Sequence, residues 1–222
     1  MVHVHYCPPR PDQEADRQGF QPRKIMRPLG FDVEDVLDTA LELFWELGSQ
    51  TPMREIETAT GISQSSIYNT FGSKEGLLEA ALDHYEAHLD REVLSFFTDE
   101  REGLKSIDNF LTALHQWVKQ PRTRGCLLLN VAAEEGGTNI AIKKRARAFR
   151  RVLRAALQNA LARAADRGEM EAAGSDWRAD LLLTLILGFN ITARAGASDN
   201  ELARQLHAVR DQIRDWREAA AA

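Results

Sequence analysis

The sequence predicts an all-α protein of nine helices, and three observations lead to this fold class. From Asp32 onward, apolar residues recur at steps of three and four, which is the period of an amphipathic helix. No segment shows the apolar and polar alternation of a half-buried strand. Glycine and proline interrupt the helical pattern at intervals, so we expect separate helices joined by short turns.

Composition limits the classes of protein to be considered. Apolar residues make up 44% of the 222 residues, which is enough for a substantial core, and the net charge of −5 disfavours broad coating of nucleic acid. Two cysteines indicate a reducing compartment, and the N-terminus lacks the apolar run of a signal peptide. The longest apolar stretch, 181–191, is shorter than the roughly 20 residues that cross a bilayer. We therefore expect a soluble cytoplasmic protein without contact to a membrane.

The N-terminal third is expected to contain an arm and three helices. Residues 1–30 carry four prolines before Arg23 and no periodicity, which predicts a flexible arm, and Met26 is an alternative start. A helix over 33–47 ends at Gly48. Its expected buried residues are Val33, Leu37, Ala40, Leu41, Phe44 and Leu47.

Two short helices follow, with the spacing of a helix-turn-helix. Thr51 is the expected cap of a helix that reaches Thr60, Gly61 permits a tight turn, and Ser63 caps a helix that reaches Thr70. The second helix presents polar groups that can bond bases or phosphates. A DNA-reading motif and a three-helix packing module without DNA both explain this pattern. The residues expected to pack the two helices together are Ile56, Ala59, Ile62 and Ile67.

Six further helices are expected over 74–97, 102–119, 126–134, 139–168, 176–194 and 199–217. With the arm, this organisation gives an N-terminal DNA-binding domain over 31–75 and a larger effector-binding and dimerisation domain over 76–218.

The last two helices are predicted to pair with a second copy of the chain. The penultimate helix is apolar around its whole circumference, and the final helix has a narrow apolar seam, as expected for a homodimeric four-helix bundle. Packing of the two helices within one chain is the alternative. The expected interface residues are Leu181, Leu185, Leu202, Leu206, Val209, Ile213 and Trp216.

Residues 61–78 closely resemble the signature of the tetracycline-repressor (TetR) family. In that family a glycine-aliphatic-serine turn leads to Ser/Thr-Leu/Ile-Tyr, Phe, Ser/Asn-Lys-Glu and two leucines, and this chain matches many of these positions in order without gaps. The resemblance implies a ligand-responsive repressor that binds a palindromic operator as a homodimer, with double-stranded DNA and a small-molecule effector as partners. The rival interpretation is a helical ligand-binding or interaction protein whose helix-turn-helix no longer binds DNA.

The resemblance also implies roles for individual residues. Gln64, Ser65 and Ser66 would contact bases or phosphates, and Tyr68 and Lys74 would contact phosphates. Asn69 and Thr70 complete the expected DNA-binding set. Two departures from the family pattern concern this module: Thr70 stands where a histidine or another aromatic is usual, and Glu57 and Thr60 replace alanines. The first 80 residues also hold seven basic against thirteen acidic side chains, which disfavours DNA binding and favours the rival.

The family's effector cavity lies among helices that correspond to residues 74–168, so the expected lining includes Trp117, Cys126 and Asn130. Cys126 begins a helix, and Arg122 and Arg124 are close in sequence, which favours thiolate and a sensor of electrophiles or oxidants. A buried cysteine with a structural role only is the interpretation that we favour, and the sensor is the alternative.

Other clusters have simpler interpretations. The basic residues over 143–154 predict a solvated face, with an anion-attracting wall as the alternative. His84 and His88, like His3, His5 and Cys7, have the spacing of metal ligands, but neither group is completed by further ligands. No nucleophile elbow or phosphate-binding glycine loop is present, so we expect neither catalysis nor a cofactor or metal.

Overall fold

A computed structural model describes residues 30–119, 125–135 and 139–219. These ranges hold nine α-helices and no strand, which confirms the predicted fold class. The expected arm, with His3, His5, Cys7 and Met26, lies outside them except for Gly30. No helix in the described ranges is both long and apolar enough to span a membrane. The helices are α1 (Val33–Leu47), α2 (Met53–Thr60), α3 (Gln64–Phe71), α4 (Lys74–Ser95), α5 (Leu104–Val118), α6 (Leu127–Glu134), α7 (Ile140–Asp166), α8 (Ser175–Arg194) and α9 (Asp199–Ala219).

The start and end of α1 are set by side-chain capping and a glycine. The Asp32 carboxylate accepts a hydrogen bond from the Glu34 N–H at 2.8 Å, which satisfies a free donor of the first turn. At the other end, Gly48 has a φ of 85°, and a Cβ there would lie 2.7 Å from Glu134 Oε2. The positive φ therefore favours glycine at this position, and a side chain there would also displace the Glu134 carboxylate.

A first core joins the N-terminal helices to the centre of the chain. Phe44, Ile56 and Ile67 from α1, α2 and α3 are fully or almost fully buried together with Leu82 of α4. Residues of α6 and the start of α7 belong to the same cluster, among them Leu128. The packing thus continues from the three N-terminal helices into the C-terminal region through contacts with α4 and α6.

A second core is built from α5, the later part of α7, α8 and α9. Its fully buried members include Ile107, Leu157 and Leu182. Three partly buried residues pack against both cores, so they mark the junction between them: Val93, Trp117 and Phe149.

Several local expectations need correction. Leu47 is 51% exposed, while Val36, which was not expected inside, is buried, because the buried side of α1 is rotated from the one predicted. Thr51 is not the cap of α2: its hydroxyl donates to the Gly48 carbonyl at 2.6 Å, and Pro52 is the capping residue. Ala59 is exposed, so it does not join α2 to α3.

Candidate nucleic-acid interface and partner surfaces

The turn between α2 and α3 brings the two short helices into contact. Gly61 adopts the left-handed conformation with φ 69° and ends α2, and Ile56 and Ile67 are fully buried on the inner side. Ser63 caps α3: its Oγ accepts from the Ser66 N–H at 3.3 Å and lies 3.0 Å from the hydroxyl oxygens of both Ser65 and Ser66. The short helix α3 is therefore fixed at its first turn.

The outer side of α3 is a continuous polar surface. Successive residues lie about 100° apart around a helix, so Ser65 and Asn69 lie opposite the buried Ile67. Tyr68 lies beside them in the same polar arc, and the half-buried Gln64 lies at the edge of this arc, about 60° from Ile67. Ser65 and Asn69 are exposed, and Tyr68 is 42% exposed. These groups supply the donors and acceptors that contact with base edges requires.

Three other predicted contact residues have different surroundings. Ser66 is half-buried at the cap, and the half-buried Thr70 donates its hydroxyl proton to the Ser66 carbonyl at 3.0 Å. Lys74 is the first residue of α4, immediately after α3. Thr70 lies beside the polar arc, with its proton already used within α3.

The start of α4 is packed directly on the end of α3. The Gly76 N–H donates to Ser73 Oγ at 3.0 Å, and a Cβ on Gly76 would lie 2.0 Å from the Phe71 carbonyl oxygen. Only glycine permits this approach. The first turn of α4, which begins at Lys74, thus follows directly on the end of α3, and a helix start next to a basic residue favours a phosphate.

A polar pair links α2 to α3. Gln64 Nε2 donates to Glu57 Oε2 at 3.0 Å, and both side chains are half-buried. Thr60, the second departure from the family pattern, also has a local partner, because its hydroxyl donates to the Ile56 carbonyl at 2.7 Å.

The end of α1 is tied to α6 and α8 by charged and polar contacts. Glu134 accepts from the Ser49 N–H at 2.8 Å through Oε2 and from Arg194 at 3.2 Å through Oε1. The same guanidinium donates to the Trp45 carbonyl, and Trp45 Nε1 donates to the Gly125 carbonyl at 2.9 Å. Sequence reasoning missed this junction, since it joins residues between 60 and 149 positions apart.

The three expected effector residues lie close to the first core. Cys126 and Asn130 are buried, and Trp117 is half-buried with its ring 5.6 Å from that of Trp45. The Tyr85 hydroxyl donates to Cys126 Sγ at 3.5 Å.

The surroundings of Cys126 agree with a buried, packed cysteine and disfavour the alternative of a reactive thiolate. Burial raises the pKa of the Cys126 thiol above its ordinary value of 9.0, and this outweighs the lowering by hydrogen bonds from Tyr85 and backbone groups. Arg122 and Arg124 lie outside the described residues. The thiol is therefore a protonated, packed group at neutral pH.

The five α9 residues assigned to the dimer interface are instead buried within their own chain. They belong to the second core, because the seam of α9 packs on α5 and α8. Leu202, Ile213 and Trp216 therefore pack within the chain, whereas Leu206 and Val209, although largely buried, also line the groove between α8 and α9 and stay predicted interface residues.

A different surface of α8 and α9 remains open. Leu181 and Leu185, the other two predicted interface residues, line a groove of about 490 Å³ between the helices. On the exposed side of α8, Trp177 is 52% and Ile191 49% exposed. Residues that line the groove with the two leucines include Thr184, Gly188, Thr192, Gln205, Ala208 and Gln212.

The basic and histidine clusters have protein partners. In α7, Arg145 pairs with Asp83 at 2.6 Å and Arg154 with Asp180 at 2.6 Å, while Lys143, Arg147 and Arg150 are exposed. His84 Nε2 lies 2.8 Å from Asp38 Oδ1, and the His88 ring is 5.0 Å from that of His84. Among the described residues, no group of three or more His, Cys, Asp or Glu side chains is placed to hold a metal ion.

Comparison with known proteins matches both parts of the chain. The model of the tetR family of bacterial regulatory proteins matches residues 36–81, and that of the tetracyclin repressor-like C-terminal domain matches residues 103–219. The HTH-type transcriptional repressor ComR of Escherichia coli (strain K12) is 28% identical over 184 residues, which are 79% of this chain and 86% of ComR.

Solved structures show the same fold. A TetR transcriptional regulator from Chloroflexus aurantiacus is 26% identical, with a TM-score of 0.72 over 81% of this chain and 92% of that one. A cysteine mutant of the TetR family regulator CifR, solved with 26-bp operator DNA, is 24% identical, with a TM-score of 0.71 over 86% of this chain and 100% of that one. The similarity includes both the short N-terminal helices and the larger C-terminal group.

Proposed function

The chain belongs to the TetR family of bacterial regulatory proteins, and we propose that it is a ligand-responsive repressor that binds a palindromic operator as a homodimer. The observation that carries this proposal is the exposed polar arc of α3 beside the capped start of α4. A helix with this arrangement can enter the major groove while its neighbour approaches the backbone. Since the chromosome is the target, the cytoplasm is the proposed location.

In this proposal Gln64, Ser65 and Asn69 contact base edges. Tyr68 and Lys74 contact phosphates, because a phenol and an ammonium group are donors without base selectivity at the backbone. Ser66 lies in the first turn of α3 and Thr70 in its last turn, and both lie at the margin of this surface. The DNA-binding domain is taken as 31–75, and the remaining helices, 76–218, form the effector-binding and dimerisation domain.

The homodimer is proposed to form through the groove between α8 and α9. Small side chains at Thr184 and Gly188 allow close approach of a second helix, and the exposed Trp177 and Ile191 supply apolar area. A two-fold axis at this surface makes the interface self-complementary. Leu181 and Leu185 then lie at the centre of the interface, while the buried residues of the α9 seam pack beneath the groove.

The effector is proposed to act at the junction between the two cores. Trp117 packs against both of them, and Asn130 lies on α6 beside Cys126. A small molecule bound there would displace α4 and α6, which connect the C-terminal helices to the DNA-reading helices. Two recognition helices must reach major grooves about 34–36 Å apart, so a small displacement would weaken operator binding.

The test is selection of duplexes from a random pool by the full-length protein at moderate salt. The proposal predicts enrichment of a palindrome with half-sites about 10 bp apart, and loss of preference at one base pair per half-site in Gln64→Ala. If no site is enriched, the proposed repressor function is wrong, and the rival interpretation, a helical ligand-binding protein, stands. The excess of acidic residues in the first 80 positions is the observation that favours this rival interpretation.

A further inference from the structure

We propose that Glu57 sets the base preference of the recognition helix by holding the Gln64 amide in one orientation. This inference rests on the proposed function, since it assigns a positioning role toward DNA. Glu57 lies in α2, and the turn at Gly61 brings its carboxylate to the first residue of α3, where Gln64 Nε2 donates to Oε2 at 3.0 Å.

An acceptor-only partner fixes which edge of the amide faces it. An ionised carboxylate has no hydrogen to donate, so the side of Gln64 toward Glu57 must be the NH₂ group. A glutamine without such a partner can rotate its amide by half a turn and exchange donor and acceptor. The Glu57 contact removes this exchange and directs Oε1 away from α2.

The contact also uses one of the two amide hydrogens. Gln64 is left with one N–H donor and one carbonyl acceptor, which match the N7 acceptor and N6 donor of adenine. Guanine presents two acceptors, N7 and O6, in the major groove. A free NH₂ group can donate to both of them, whereas the amide held by Glu57 cannot. The pair therefore favours adenine over guanine at the base pair that Gln64 reads.

This selectivity is gained at the expense of affinity. The Glu57 carboxylate contacts Gln64, on the surface proposed to face DNA, and a negative charge there weakens binding to every sequence. The same helix offers a matched control. Glu55 also carries one negative charge, but its carboxylate is 3.9 Å from Arg54. Removal of either charge should strengthen binding in general, and only removal of Glu57 should alter a base preference.

The experiment measures the affinity of the full-length protein for its selected duplex with each of the four bases at every position. The proteins are wild type, Gln64→Ala, Glu57→Ala, Glu55→Ala and the Glu57→Ala/Gln64→Ala double variant. Thermal unfolding of each variant establishes that the fold is retained. The position read by Gln64 is the one whose preference is lost in Gln64→Ala.

At that position we expect wild type to favour adenine over guanine by roughly 5- to 150-fold. Glu57→Ala should lower this ratio by about threefold or more while it tightens binding overall, and it should have no effect on the ratio in the Gln64→Ala background. Glu55→Ala should tighten binding and leave the ratio unchanged.

An unchanged ratio in Glu57→Ala, an equal loss in Glu55→Ala, or a Gln64→Ala variant without a position-specific loss would each overturn the inference while the repressor function stands. If wild type selects no duplex, the proposed function itself fails and the inference fails with it.

Discussion

At the scale of single residues, Cys126 and Tyr85 form a buried pair of weak acids. Tyr85 donates to Cys126 Sγ at 3.5 Å, and Cys126 is only 3% exposed. Burial raises the pKa of Tyr85 well above its ordinary value of 10.0, with a further increase from the nearby Cys126. Because the thiolate is the reactive form, alkylation of native Cys126 near neutral pH should be slow and should accelerate on unfolding.

The pair makes stability depend on pH in the alkaline range. The folded state holds the Cys126 proton more tightly than the unfolded state, so this group contributes no pH dependence below its ordinary pKa of 9.0 and lowers the free energy of unfolding as pH rises above it. Urea denaturation at about pH 8 and about pH 10 measures this decrease. Cys126→Ala should show a smaller decrease than wild type, and equal decreases would show that the thiol is not responsible.

Tyr68 and Lys74 are predicted to act on DNA of any sequence. Tyr68→Phe removes one exposed donor, and Lys74→Ala removes one charge at the start of α4, so each should weaken binding to the selected and to scrambled duplexes by similar factors. Lys74→Ala should also reduce the slope of log affinity against log salt by about 1. Fluorescence anisotropy over a salt series measures both effects. A change confined to one base pair would contradict the assignment to phosphates.

At the scale of helices, apolar periodicity predicted the position of each helix in the sequence, but it did not always predict which element packs on its apolar face. The α3 cap at Ser63 and the buried stripe of α4 follow from local pattern, because caps and helical spacing depend on neighbours in sequence. The apolar seam of α9 is equally clear in the sequence. The same pattern, however, is expected whether α9 packs on α5 of its own chain or on a helix of a second chain. The contact from Glu57 to Gln64 depends on side-chain geometry across a turn, which spacing alone does not specify.

The junction at Arg194 is predicted to contribute to stability. Its guanidinium bonds Glu134 on α6 and the Trp45 carbonyl on α1, so Arg194→Ala leaves a half-buried carboxylate and a carbonyl without that donor. We expect a loss of about 1–3 kcal/mol in the free energy of unfolding, measured by urea denaturation. The control is Arg204→Ala, which removes an exposed arginine of α9 that bonds only the carbonyl four residues earlier among the contacts described for it. Equal stability of the two variants would contradict the role of the junction.

At the scale of the whole molecule, the groove between α8 and α9 is predicted to hold the dimer together. Thr184→Glu with Ala208→Glu places two charges in the groove at exposed positions, so the chain should fold but remain monomeric. Ala162→Glu with Ala203→Glu adds the same charges at exposed positions of α7 and α9 that do not line the groove, and this variant should stay dimeric. Sedimentation velocity distinguishes these states, and a dimeric groove variant would exclude this interface.

In the proposed function, two copies of this chain read two half-sites on one operator. The most direct measurement is the affinity and stoichiometry of the wild-type protein on its selected duplex and on a scrambled duplex of equal length and composition, at about 150 mM salt. We expect one dimer per duplex and preference for the selected site by at least about 10³-fold. Equal affinity for the two duplexes, or binding of a single copy with full affinity, would contradict it.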